Sequence, residues 1–269
     1  MKPLAIIAAA WSAGAGALAG PYAPGADDPK TTAIAHDDPR IVAWGSAVGD
    51  LTRGWVDISR PALGKVSYGA GADALGPADA EEDSLPVVSL GDGGSITLHF
   101  VRPITNGPGF DFAVFENGFD DSFLELAFVE VSSDGTNFRR FPSVSLTPVL
   151  AQVAGFDPLD PTNLYDLAGK YRRGFGTPFN LDELAGVDPL VDVTRITDVR
   201  VVDVIGSINP AYATRDSLNN IVNDPWATPY DTGGFDLDAI GVLNVLPEPG
   251  VPALWSAGLV LLACRRLRG

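Results

Sequence analysis

The chain has 269 residues, with 18 basic against 34 acidic side chains and a formal net charge of −16. That balance opposes binding to nucleic acid or anionic headgroups, and it suits solubility and carboxylate sites for hard cations, calcium first among them. The one cysteine, Cys264, lies near the C-terminus, so disulfides, cysteine-based zinc sites and thiol catalysis are excluded from the rest of the chain.

Lys2 supplies a charged start, Leu4 to Ala10 an apolar core and Ala17-Leu18-Ala19 a small-residue cleavage pattern. Residues 1-19 therefore read as a signal peptide, with Gly20 as the new N-terminus and an exported protein as the consequence. The alternative, a buried N-terminal helix, is opposed by Gly14, Gly16 and Gly20. Residues 20-246 then form one large ectodomain, a length that does not require two domains.

Gly, Pro and Asp dominate from Gly20 to Pro39, with paired acids at Asp27-Asp28 and Asp37-Asp38, which reads as an extended entry segment. Short apolar runs separated by turn residues follow: Ile41 to Trp44, Ser95 to Val101, Gly109 to Phe115, Leu124 to Ser132, Phe138 to Phe141, Thr194 to Ile205 and Phe235 to Leu243. Their spacing is that of an all-β sandwich. In the run from Ser95 the alternation places Ile96, Leu98 and Phe100 on the core face and Thr97 and His99 outside. Val199 to Ile205 is apolar at both parities, as a central strand covered on both faces requires. Two longer connections, Pro148 to Leu190 and Ser207 to Gly234, interrupt the pattern, and in the first Asn180 is positioned to cap a short helix through Leu181-Leu184 that Gly186 ends.

Phe110 to Asp121 is the densest polar and aromatic stretch, with Asp111 placed on a strand and Glu116, Asn117, Asp120 and Asp121 on the loop after it. Acids emerging from central strands, Asp111 and Asp203 here, need partners, which Arg195, Arg200 or a cation would supply. Glu116 with Asp120 or Glu125 has the number of carboxyls a glycosidase needs, with nothing to fix their geometry. The loop from Asn209 to Tyr230 gathers Tyr212, Arg215, Asn223, Asp224, Trp226 and Tyr230. Rings beside amides, carboxylates and a guanidinium suit a sugar-binding surface, in which the ring stacks on a pyranose and the polar groups take its hydroxyls. Trp226 and Tyr230 pinning the loop to the sandwich is the alternative.

Two short matches carry a fold resemblance. Val129 to Phe138 is a strand, a Ser-Asp-Gly-Thr turn and a second strand, which resembles the hairpin of discoidin-like and other galactose-binding-like jelly rolls. Gly233 to Val242 resembles the last strand of carbohydrate-binding jelly-roll modules, in which an aspartate at the position of Asp238 helps hold a structural calcium against the N-terminal segment. Asp236 shares its face by the period-two rule, so the pair needs a cation or basic partner. Asp37 and Asp38 are the candidate further ligands, although the modules' N-terminal acidic motif has no clear counterpart here. Exposed edge aspartates are the alternative.

Pro247-Glu248-Pro249, the fifteen apolar or small residues Gly250 to Cys264, and the cluster Arg265-Arg266-Leu267-Arg268 end the chain. Fifteen residues give roughly 22 Å of helix, short of the ~30 Å hydrocarbon layer. Residues 247-269 resemble the PEP-CTERM sorting signal of exopolysaccharide-producing Gram-negative bacteria, which implies removal by an exosortase-type protease after export; a retained single-pass anchor is the alternative. The arginines would stay cytoplasmic. The expectation is an all-β, jelly-roll type sandwich with long loops between an N-terminal signal helix and a C-terminal hydrophobic helix. Its role would be to bind an extracellular polysaccharide or other glycan, with calcium as a structural ion. A ligand-free matrix protein and a glycan-processing hydrolase remain open.

Overall fold

The structure, a computed structural model, describes residues 19–80 and 86–247. The expected signal segment up to Leu18 and the tail from Glu248, with Pro249, Arg265 and Arg266, and so both expected terminal helices, lie outside the described residues. The first strands in chain order are β1 (Ile34–Ala35), β2 (Ala43–Trp44), β3 (Ala47–Thr52), β4 (Val88–Ser89), β5 (Ser95–Ile104), β6 (Phe112–Glu116) and β7 (Ala127–Ser132). There follow β8 (Arg139–Arg140), β9 (Val144–Ser145), β10 (Leu164–Tyr165), β11 (Phe175–Phe179), β12 (Ile196–Asp203) and β13 (Asp236–Val242). Single 3-10 turns are the helical elements among the described residues, and no described helix is long and apolar enough to cross a membrane.

Two antiparallel sheets make the body. One runs β3-β5-β12-β7-β8; the other runs β1-β11-β6-β13-β2, with β4 also paired to β13. Ile96, Leu98 and Phe100 from β5, Val129 and Val131 from β7, and Val199 and Val201 from β12 share one core cluster with residues of the opposite sheet, Phe112, Val114, Leu237, Ile240 and Val242. The inner faces of the sheets therefore meet in a sandwich, each fully buried aliphatic or aromatic side chain contributing about 1.5–3 kcal/mol. Phe112 anchors its middle, stacked on Phe179 at 5.3 Å and edge-on to Phe141 at 5.9 Å.

The expected strands are present, most of them shorter by a few residues. The β5 alternation holds, and His99 faces outward with Nδ1 3.1 Å from Asp198 Oδ1. Thr97 departs from it: it is buried beneath Arg200, whose Nε lies 3.3 Å from the hydroxyl. β12 pairs with both β5 and β7, the central place its apolar run requires. Asn180 caps the turn Leu181–Leu184 by accepting from Asp182 N–H at 3.0 Å, and Gly186 follows at φ 71°.

Three local expectations are corrected. The β7–β8 connection is longer than the Ser-Asp-Gly-Thr turn, a loop from Ser133 to Phe138 in which Asp134 accepts from the N–H groups of Thr136 and Asn137, each at 2.8 Å. Glu116 is the last residue of β6 rather than part of the loop after it, and Asp111 precedes that strand. The buried acids take backbone and amide donors instead of arginine. Asp111 accepts from Leu181 N–H at 2.7 Å, Gly107 N–H at 2.8 Å and Asn244 Nδ2 at 2.9 Å. Asp203 accepts from Phe235 N–H at 2.8 Å and Gly93 N–H at 2.9 Å. Arg200 lies over the Phe138 ring and reaches Glu130.

Candidate functional site: an aromatic cleft with a carboxylate floor

β13 begins beside the end of β6, where Leu237 pairs with Glu116, and beside β4, where Asp236 pairs with Ser89. At this end of the sheet the chain leaves β6 through Asn117, Gly118 and Phe119 and returns through Phe123 and Glu125, while Thr228, Tyr230 and Thr232 come from the segment before β13. Tyr68 and Phe156 complete the lining of a cleft of about 280 Å³, at the small end of the range for small-molecule sites.

The rim is a ladder of rings. Phe119 stacks on Phe123 at 4.7 Å, Phe123 on Phe156 at 5.7 Å, and Phe156 meets Tyr230 at 6.3 Å. Phe119, Phe156 and Tyr230 are 67%, 66% and 54% exposed, so three adjacent rings remain in water when core positions would remove that area. Local hydrogen bonds hold the ladder in place: one Asp120 oxygen accepts from Ser122 N–H, Ser122 Oγ and Phe123 N–H at 2.8 to 2.9 Å.

The floor is acidic. Glu125 and Asp236 line it, and Glu116 lies directly behind, where Gly118 N–H donates to Oε2 at 2.7 Å while Oε1 has no partner. Asp236 Oδ1 is likewise unpartnered; Ser89 and Asn117 stand close enough to ease its charge without closing a hydrogen bond onto that atom. Burial raises all three carboxyls: Asp236 to about 7, and Glu116 and Glu125 well above the usual range, with the charge of Asp236 the next cause for both glutamates. Arg53 offsets part of this near Asp236, but its guanidinium donates to the carbonyls of Tyr68, Gly69 and Ser89 and to no carboxylate. Glycine lets the floor assemble. Gly169, at φ 79°, lies so close to the Glu125 carbonyl that a side chain there would collide with it.

The sugar-loop residues separate in the fold. Tyr230 joins the cleft. Tyr212 and Trp226 stack on each other at 6.5 Å, half-buried, and Trp226 Nε1 donates to Asp92 at 3.1 Å. Arg215 closes its own loop by donating to the Asn219 carbonyl. Asn223 is fully buried, donating to the carbonyls of Pro148 and Ala151 and accepting from Val153 N–H and Gln152 Nε2. Asp224 accepts from Leu126 N–H at 3.1 Å and is buried, with Oδ1 unpartnered. Asn223 thus ties this loop to the segment 148–153 of the other long connection, and Asp224 ties it to the stretch leading into β7.

The acids expected around calcium do not gather. Leu237 pairs with Glu116 and Ala239 with Phe115, so Asp238 is the extra residue of a bulge and the period-two relation to Asp236 is interrupted. Asp238 accepts from Asp79 N–H at 3.0 Å, its carboxyl pushed up to about 7 by burial despite that bond, with the charge of Asp79 adding. Asp38 is held by Arg40 at 2.6 Å, and Asp37 is exposed. Among the described residues no three histidine or acidic side chains form a metal cage.

The sequence points to part of this cleft. Glu116, Asn117, Glu125 and Tyr230 stand out in it, whereas Phe119, Phe123, Phe156 and Tyr68 do not. The available signal was Phe119 and Phe123 flanking Asp120-Asp121-Ser122, a polar stretch with no apolar periodicity to bury a ring. No protein-family model and no curated protein matches this sequence.

Proposed function

We propose that the protein is an exported surface or matrix protein of a Gram-negative bacterium. It is sorted through its PEP-CTERM tail with an exosortase-type protease, and its jelly-roll-type ectodomain binds extracellular glycan in the aromatic cleft. The observation that carries the reading is the exposed ladder of Phe119, Phe156 and Tyr230 set against buried, unpartnered carboxylate oxygens. Exposed rings stack on the apolar face of a sugar, and carboxylates accept from its polar hydrogens. A purely structural role gives no reason to keep both features together. Calcium belongs to the proposal as a structural ion beside Asp238 and Asp79, where burial and then the like charge of Asp79, with Arg173 offsetting part, leave Asp238 raised to about 7.

A glycan array probed with the purified full chain, with and without calcium, tests this reading. Specific binding that Phe156→Ala and Tyr230→Ala both weaken is expected; binding that neither change affects would remove the cleft from the account. Glu125 and Asp236 favour one second reading, a glycan hydrolase, because two carboxyls with raised pKa line the same cleft. Turnover of a bound oligosaccharide, abolished by Glu125→Gln, would select it.

A further inference from the structure

The cleft floor gathers more acidic groups than its surroundings balance. Glu116, Asp236 and Glu125 are 1%, 5% and 6% exposed, and the first two each hold an oxygen with no hydrogen-bond partner. Asp224 and Asp203 add their charge at Glu125. On the positive side, Arg53 is engaged with carbonyls, and Arg172, which reaches Asp121 beside Phe119, is divided between Asp27 at 2.6 Å and Asp121 at 3.3 Å. Buried acids in this state keep their protons or meet a cation.

The rim decides which kind of cation. A hard metal ion takes six or more oxygens, and the cleft lining brings carboxyls from Glu125 and Asp236 among rings and hydroxyls. Four aromatic rings give a metal ion nothing to coordinate, whereas ring faces attract organic ammonium groups and stack on the body that carries them. A neutral sugar leaves the floor's carboxyls to keep their protons or their negative charge unmet, whereas an ammonium brings the opposite charge to them.

We propose that the cleft recognises a protonated amine on its glycan, an amino-sugar unit whose ring stacks along Phe119, Phe123, Phe156 and Tyr230 and whose ammonium meets Glu125 and Asp236. This rests on the glycan reading above and adds a charge to the ligand. Glu116, behind the floor, lends its field without contact. Binding is then proton-linked, because a carboxyl that gives up its proton to receive the ammonium releases it to solvent.

Calorimetry on the purified full chain tests it with four probes: a glucosamine tetramer, its fully N-acetylated form, a neutral glucose tetramer of the same linkage, and spermidine. The glucosamine tetramer is expected to bind at least about tenfold more tightly than the other three, in line with a charge-assisted contact. Its heat should depend on the buffer in the way that proton release requires, and its affinity should rise from pH 5 to pH 6, below the range in which the amine itself gives up its proton. Glu125→Gln and Asp236→Asn are each expected to remove at least about tenfold of that affinity while the melting temperature stays level or rises, which separates lost recognition from lost folding. Equal binding of the N-acetylated or neutral tetramer overturns the charge inference and leaves the glycan reading standing. Equal binding of spermidine overturns the sugar part of the inference. Binding of none of the tetramers overturns both. A calcium-induced rise in melting temperature that Asp236→Asn abolishes also overturns it, since the floor would then be a metal site.

Discussion

Replacing Asp236 with asparagine should stabilise the free protein at and above neutral pH. The folded-state carboxyl holds its proton to about pH 7, against an ordinary value of 3.8, because burial opposes the charge. Between those two values the unfolded chain binds fewer protons than the folded one, so this group's contribution to stability is fully present below pH 4, falls as pH rises and is gone above 7. A shift of about three units at 1.36 kcal/mol each sets an upper limit of about 4 kcal/mol, fully lost by pH 8. Asparagine keeps the shape, leaves the lining and removes the ionisation. Relaxation around the carboxylate lowers the recoverable part, so the variant should gain about 1–4 kcal/mol at pH 8 and little at pH 4. Urea denaturation of both proteins at the two pH values, at matched m-values, measures the difference. A variant less stable than the parent at pH 8, or one with the parent's full pH slope, would refute the reasoning.

Lys170 reverses the trend at higher pH. Burial lowers its amine from 10.5 to about 8, so the penalty for burying its charge is shed as pH rises between those values. Asp166 beside it is raised to about 8 by burial and by Glu183. Between pH 8 and pH 10 the parent is expected to regain stability relative to a Lys170→Met variant, and identical pH slopes of the two over that range would contradict it. Asn223→Ala removes four hydrogen bonds at a fully buried position and should cost about 3 kcal/mol by urea denaturation; a loss below about 1 kcal/mol would deny its anchoring role. Calcium should raise the melting temperature of the parent, chelation should reverse the rise, and Asp238→Asn should remove it. A melting curve indifferent to chelation would discard the ion.

The architecture was legible wherever apolar periodicity was strong. β7, β12 and β13 lie within their expected spans, and β5 runs on to Ile104 past its expected end at Val101, each supplying residues to one shared core. The strands that escaped lack that signal. β11 contains Gly176 and Pro178, which read as breakers, yet β1 pairs only with Phe175 and Gly176, leaving the edge beside Pro178 open. At Gly176 a side chain would lie 2.9 Å from the Phe115 ring. β1, β4, β9 and β10 are two residues each, too short for any period to register. The cleft was half visible for a related reason. Glu116, Glu125 and Tyr230 stood out by residue type, but their meeting depends on the β6–β13 register and on Phe156 arriving from a distant loop, neither of which local sequence encodes. The bulge at Asp238 separated two aspartates that strict alternation would have kept together.

The most direct trial of the central claim maps bound glycan onto the protein by NMR, following backbone amides while the tightest array hit is titrated into the labelled full chain. Shifts concentrated at Asn117, Phe119, Phe123, Glu125, Phe156 and Tyr230 are predicted. Shifts centred instead on Tyr212 and Trp226, with those six amides unmoved at saturation, would contradict it.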